Sequence, residues 1–165
     1  MQSVMNELLN KLSAYNVFNY LLPGIVFAGL AEQVVHHPIV LRDIFTSAFL
    51  YYFVGLVVSR FGSLIIEPLL KYVSFVKFAD YEHFVAASRT DPKLEVLSEV
   101  NNTYRTLASA FSLLILLRIY VSLEGTFPRL KEWGSALLAA LLLAMFLLAY
   151  RKQTSYITRR IRSNG

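Results

Sequence analysis

Four stretches of this chain carry almost no charge, and each is close to the length that crosses a lipid bilayer. They read "VFNYLLPGIVFAGLAEQVV" from Val17 to Val35, "IFTSAFLYYFVGLVVS" from Ile44 to Ser59, "LASAFSLLILLRIYVSL" from Leu107 to Leu123, and "WGSALLAALLLAMFLLAY" from Trp133 to Tyr150. A hydrocarbon layer about 30 Å thick needs about 20 apolar residues in helical form, and about 17 suffice. Inside that layer only helices and closed barrels satisfy every backbone polar group. The runs therefore point to an all-α, polytopic membrane protein with four transmembrane helices. Composition agrees: 56% of the 165 residues are hydrophobic and 16% are charged, where a soluble domain carries roughly 25% charged residues. The mean hydropathy is +0.50. The second run is the shortest and gains length if Arg60 snorkels. "GLA" before Glu32 also resembles a small-x-small cleavage site, which makes a signal peptide the competing reading of the first run. The expectation adopted here is a retained span.

Lysine and arginine set the orientation. Arg42, Arg129 and Lys131 occupy the first and third connections, and Arg118 lies within a run. The other twelve of the 16 precede the first run, fill the middle connection or follow the last run. The positive-inside rule then puts both termini and the middle connection in the cytoplasm. Two helical hairpins result. Residues 1–59 hold an N-terminal interfacial helix and the first hairpin, 60–106 a helical cytoplasmic insert, 107–150 the second hairpin, and 151–165 a basic tail. The net charge of +5 follows from this topology and calls for no direct nucleic-acid partner. With no cysteine in the chain, disulfides, thiolate metal sites and cysteine nucleophiles are excluded.

The cytoplasmic parts have their own patterns. Val4, Met5, Leu8, Leu9, Leu12 and Tyr15 share a helical face, suited to lying in the membrane interface or packing on the insert. Gly62 and Pro68 mark a kink and a boundary after the second span. Phe75, Val76, Phe78, Phe84 and Val85 are expected to form a small core beneath the membrane. Asp91 before Pro92 reads as an N-cap with proline at the first helical position. The helix it starts would run straight into the third span as one rod from Asp91 to Leu123. In the tail, Arg151, Lys152, Arg159, Arg160 and Arg162 occur with no acid among them, a pattern that anchors to anionic lipid headgroups.

Two charges fall inside the spans. Arg118 lies five residues before Leu123, roughly 7 Å from that end at 1.5 Å per residue. Glu32 lies at a comparable depth near the same face of the membrane. Three arrangements accommodate them: snorkelling of Arg118 to the interface, an ion pair between Glu32 and Arg118, or a ring of either side chain lining an aqueous path. Gly24 and Ala28 share the Glu32 face at four-residue spacing, and Ala136, Ala140 and Ala144 repeat that spacing in the last span. Small residues so placed let helices approach closely. Four spans cannot enclose an aqueous pore alone, so a conducting path would need several copies, and a homo-oligomer is expected.

Catalytic chemistry is not legible. The adjacent His36 and His37 do not share a helix face, and neither they nor His83 stand in a metal-ligand pattern. No phosphate-binding loop or serine–histidine–acid set is present. No enzyme activity, metal or cofactor is expected.

"YNVFNYLLPG" before the first span and "DPKLEVLSEVNNTYR" before the third resemble small four-span membrane proteins that accompany nucleases or nucleotide-signalling enzymes in bacterial anti-phage defence loci. That resemblance implies an inner-membrane effector that permeabilises the cell, or a sensor that holds a soluble defence protein. The expected function is thus an oligomeric effector that opens a gated pore or disturbs the membrane on a signal to its insert. Arg89, Lys93 and Arg105 are the candidates to meet an anionic signalling ligand or an acidic partner. The alternative is a non-conducting scaffold or sensor that recruits a soluble effector.

Overall fold

The computed structural model describes residues 17–35 and 43–162, and every element among them is helical. Helix α1 opens with a π-helical turn, Val17–Leu21, and continues as Leu22–Val35. Helix α2 spans Ile44–Tyr72, with a second π-helical segment at Gly62–Ile66. A short helix α3 covers Tyr81–Thr90, followed by α4, Lys93–Thr126, and α5, Pro128–Arg162. Helices α2, α4 and α5 are each long and apolar enough to cross a membrane, whereas α1 is a shorter apolar helix. The interfacial helix expected from Val4 to Tyr15, together with His36 and His37, lies outside the described residues.

Local chemistry sets the ends of these helices. At the start of α2, Asp43 Oδ2 accepts hydrogen bonds from the backbone N–H and the hydroxyl of Thr46, both at 2.6 Å, as an N-cap does. The helix does not stop at Ser59, where the charge-free run ends, but continues to Tyr72. Charge composition marks where apolar surroundings should end, not where backbone hydrogen bonding must. Pro68 is tolerated because the π segment precedes it. The Glu67 N–H reaches back to the Gly62 carbonyl, five residues away, and absorbs the misfit a proline imposes on a regular helix. Ser74, at φ 58°, then turns the chain, and the Phe75 N–H closes onto the Leu70 carbonyl at 2.9 Å. At the start of α4, Asp91 Oδ1 accepts from the Lys93 N–H at 2.9 Å.

Packing divides the molecule into a tight half and an open half. Helix α1 packs against both α2 and α4, and α5 lies outside that trio. Most of the side chains buried between α1, α2 and α4 are small: Ala28, Ala31, Val58 and Ala110, with Ser47, Ser59, Thr106 and Ser109; Tyr20 and Glu67 are the large exceptions. Lipid offers no hydrophobic reason for helices to associate, so close approach of small side chains and interhelical polar contacts take that role. Gly24 abuts the Tyr51 carbonyl and Gly55 abuts the Tyr20 carbonyl, leaving no room for a Cβ at either position. Buried hydroxyls are satisfied within their own helix: Thr106 Oγ1 donates to the Asn102 carbonyl at 2.8 Å and Ser109 Oγ to the Arg105 carbonyl at 2.6 Å.

The expected aromatic core beneath the membrane does not form. Val85 is buried, but Phe75 is 77% exposed and Phe78 53%. Residues 73–80 run without a helix, so nothing brings those rings together. Instead Phe78 lies under the Lys71 ammonium, 4.1 Å from its centroid, and Tyr81 stacks on Tyr156 of α5 at 6.3 Å. The basic tail is helical to Arg162, an uninterrupted extension of α5.

Candidate functional site

The most organised group of charges lies where α2, α4 and α5 meet, and its centre is Glu67. This carboxylate is 8% exposed. Its Oε2 receives Arg105 Nη1 of α4 at 2.6 Å, and its Oε1 receives Lys71 Nζ of α2 at 3.0 Å. Lys152 Nζ of α5 stands 3.8 Å from the same Oε1. One carboxylate thus faces three cations drawn from three helices. A buried carboxylate is costly unless its charge is matched and its lone pairs are filled; here both conditions are met.

The irregular backbone of α2 explains why Lys152 comes here. In a regular helix the Ser63 carbonyl would accept from the Glu67 N–H, but that N–H is taken by Gly62. In the π register the donor would be residue 68, which is proline and has none. The Ser63 carbonyl is therefore left open, and Lys152 Nζ fills it at 2.6 Å while also donating to Ser63 Oγ at 2.8 Å. An unsatisfied backbone carbonyl at such a depth would cost energy comparable to a lost hydrogen bond. The same ammonium neutralises part of Glu67, so one side chain repairs the backbone and completes the charge cluster. Gly62 is part of this fit: a Cβ there would meet the Ser109 hydroxyl of α4.

A second polar link closes the junction to α1. Arg60 Nη2 donates to the Tyr20 hydroxyl at 3.1 Å, and the Tyr20 ring meets Tyr52 edge-on at 5.5 Å. Thr103 Oγ1 lies 3.4 Å from Asn19 Oδ1, at the long end of hydrogen-bond range. Arg105 Nε is buried without a hydrogen-bond partner among the described residues. With Lys71, Arg105 and Lys152 around one carboxylate, the junction carries more positive charge than Glu67 balances.

The residues singled out by sequence are placed as follows. Gly24 and Ala28 are buried on α1, with Gly24 at the contact with α2. Ala136, Ala140 and Ala144 are exposed on α5, which buries no residue at all. Arg118 is exposed on α4 and Glu32 is partly buried on α1. The ion pairs among the described residues do not join these two. Arg89 and Lys93 are exposed at the α3–α4 turn, but Arg105 is committed to Glu67 rather than presented with them. Lys152 likewise turns inward, away from the exposed Arg151, Arg159, Arg160 and Arg162. Among the described residues no group of three acidic or histidine side chains converges as a metal site would require.

Glu67 escapes a reading of the sequence because it falls just beyond the charge-free run ending at Ser59. Two signals point to it. It is an acid flanked by "SLII" and "PLL", and Lys71 follows at the four-residue spacing that pairs charges on one helix face. Its partners on α4 and α5 are 38 residues or more away in sequence, beyond the reach of local patterns. No protein-family model, curated protein or solved structure matches the chain.

Proposed function

We propose that the chain is a four-span inner-membrane protein with cytoplasmic termini that works as the oligomeric effector of a bacterial anti-phage defence module. On this reading α1 is the fourth span, and the 17 residues of this apolar helix from Asn19 to Val35 reach about 26 Å, near the thickness of the hydrocarbon layer. A signal arrives at the segment joining α2 to α4, where Arg89 and Lys93 are exposed to an anionic ligand or acidic partner. It passes into the membrane through α4. The defence context rests on the resemblance given above, and no catalytic step is assigned to the protein.

The observation that carries this reading is the continuity of α4. One unbroken helix of 34 residues bears Lys93 at its start, Arg105 on Glu67, and Arg118 among apolar residues. A rigid helix couples a cytoplasmic event to an intramembrane one because its two ends cannot move independently. Arg118 supports oligomerisation: a guanidinium at the centre of a bilayer costs about 2.5 to 3.5 kcal/mol on insertion scales, less towards an interface. Arg118 sits on an exposed face of the single chain. A neighbouring copy or a shared aqueous path would take it out of lipid. Helix α5, with its exposed alanine stripe, leaves a face open for such a neighbour.

The test is membrane potential. Expression of the chain alone in bacteria at high level should depolarise the inner membrane, read with a voltage-sensitive dye. Arg118→Leu should change the ion flux or its selectivity while the protein stays inserted. An unchanged potential at matched membrane abundance contradicts the effector reading. It would favour the second reading, a non-conducting scaffold that holds a soluble partner. That reading has its own observation: Tyr72, Val73 and Phe75 are exposed by 87%, 58% and 77% at the end of α2, an apolar turn suited to docking another protein.

A further inference from the structure

Beside the point where Lys152 ties α5 to α2, and below the Phe53–Phe146 ring contact at 6.2 Å, the two helices border an open groove of about 610 Å³. Along α5 its floor is a single helical stripe spaced by three and four residues. Leu141, Met145 and Leu148 come first, then Arg151, Ser155 and Arg159; Leu64 and Ile65 of α2 form the other wall. The stripe changes from hydrocarbon to guanidinium within one helical turn, between Leu148 and Arg151. Leu141 to Arg159 extends about 27 Å at 1.5 Å per residue, longer than the roughly 20 to 22 Å of one leaflet with its headgroups, and the stripe runs from apolar to cationic along it.

The charge balance says which amphiphile fits. The acid held among the cations here is Glu67, already shared by Lys71, Arg105 and Lys152, while Asp80 and Glu82 line a neighbouring pocket with Arg159. The guanidinium groups of Arg151 and Arg159 make no ion pair among the described residues. Both are exposed at the groove. A cavity walled by leucine at one end and by two exposed guanidiniums at the other complements a molecule with acyl chains and an anionic head. Arginine also supplies the forked donors that phosphate oxygens accept.

We propose that the groove between α2 and α5 is a binding site for one anionic phospholipid, its acyl chains along Leu64, Leu141, Met145 and Leu148 and its phosphate against Arg151 and Arg159. This differs from diffuse attraction of a basic tail to a charged surface, because the site has a hydrocarbon wall and a defined pair of cations. It is independent of the effector reading and requires only that the chain sit in a membrane. Occupied by lipid, the groove would hold α5, which buries none of its own residues, against α2.

The experiment uses the full chain purified in a neutral detergent. Phosphatidylglycerol is added at increasing mole fraction, with phosphatidylcholine and inorganic phosphate as separate arms, and binding is counted by native mass spectrometry. Phosphatidylglycerol should bind one per chain ahead of phosphatidylcholine, and inorganic phosphate should not compete. The variant Arg151→Gln/Arg159→Gln should bind roughly thirtyfold more weakly, about fivefold for each arginine removed near a charged lipid surface. Arg162→Gln, which removes a tail cation outside the groove, should bind as wild type. Ala144→Trp fills the groove without altering charge and should abolish the one-to-one lipid. Equal binding of phosphatidylcholine, competition by inorganic phosphate, or loss of binding in Arg162→Gln equal to that in the double variant would each overturn the site. Should a variant fail to fold, wild-type protein cross-linked to phosphatidylglycerol with a photoreactive acyl chain settles the matter. Label on the Leu141–Leu148 peptide supports the groove, and label spread over the outer faces of α4 and α5 refutes it.

Discussion

Replacing Glu67 by alanine should destabilise the protein by about 3 kcal/mol or more, the range seen when one member of a buried ion pair is removed. The side chain is 9% exposed, so solvent does little to screen the change. Its loss leaves Arg105 and Lys152, whose side chains are 21% and 26% exposed, facing each other with no anion between them. Arg105→Met alone should be nearly as harmful, because it strands Glu67 with a deprived oxygen and opens a space on α4. The double variant Glu67→Met/Arg105→Met should recover part of the loss, since replacing both charges by apolar groups removes the desolvation cost along with the attraction. Lys71, whose side chain is 44% exposed, is a milder case, and Lys71→Ala should cost less than about 1 kcal/mol. Thermal unfolding in detergent, followed by circular dichroism, reads all four. A Glu67→Ala protein as stable as wild type would mean that the cluster contributes nothing to holding the three helices together.

The second large effect is expected at the crossing of α1 and α2. Gly55→Ala should destabilise by about 2 to 3 kcal/mol, the upper part of the range for overpacking. The added Cβ would overlap the backbone of Tyr20, and a main-chain carbonyl inside a helix cannot swing aside as a side chain can. Gly24→Ala should behave the same way against Tyr51. The sign is what makes the test sharp. In an unpacked helix, glycine to alanine is favourable by about 1 kcal/mol. Gly29 provides that control, because a Cβ built there meets nothing within 4 Å. Gly29→Ala should therefore be neutral or slightly stabilising, while its neighbours at 24 and 55 are harmful. Uniform behaviour of the three would show that α1 and α2 do not approach as closely as described.

These two predictions rest on features that differ in how visible they are in the chain itself. The helical class and the long apolar helices follow from run length alone, because backbone groups in lipid leave few alternatives. Gly24 and Ala28 stand out by spacing, though spacing cannot say which helix comes close. Gly55 is buried against Tyr20, and Ser59 four residues on is the small-residue partner that marks it. The extent of α2 is hidden by its own composition: Gly62 and Pro68 suggest a kink and a boundary, yet the π segment carries the helix through them. The charge cluster is the least legible. Arg105 and Lys152 look like ordinary cytoplasmic cations when read along the chain. Only the packing of α4 and α5 beside α2, and a carbonyl orphaned by Pro68, turn them inward.

Arg118 sits at the opposite end of α4 from the Glu67 cluster, and the two together frame the proposed mechanism. A cluster that locks α2, α4 and α5 at one level fixes where the rest of α4 points. A change at the insert that loosened Arg105 from Glu67 would be felt at Arg118 through an unbroken helix. Such coupling has an effect on the membrane only if several copies present Arg118 to one another or to a common path. The most direct measurement is therefore the native mass of the protein extracted into a mild detergent or a lipid nanodisc. The proposed effector predicts a closed assembly of four or more copies that persists on dilution. A monomer or dimer under those conditions, with the chain folded and inserted, would contradict it.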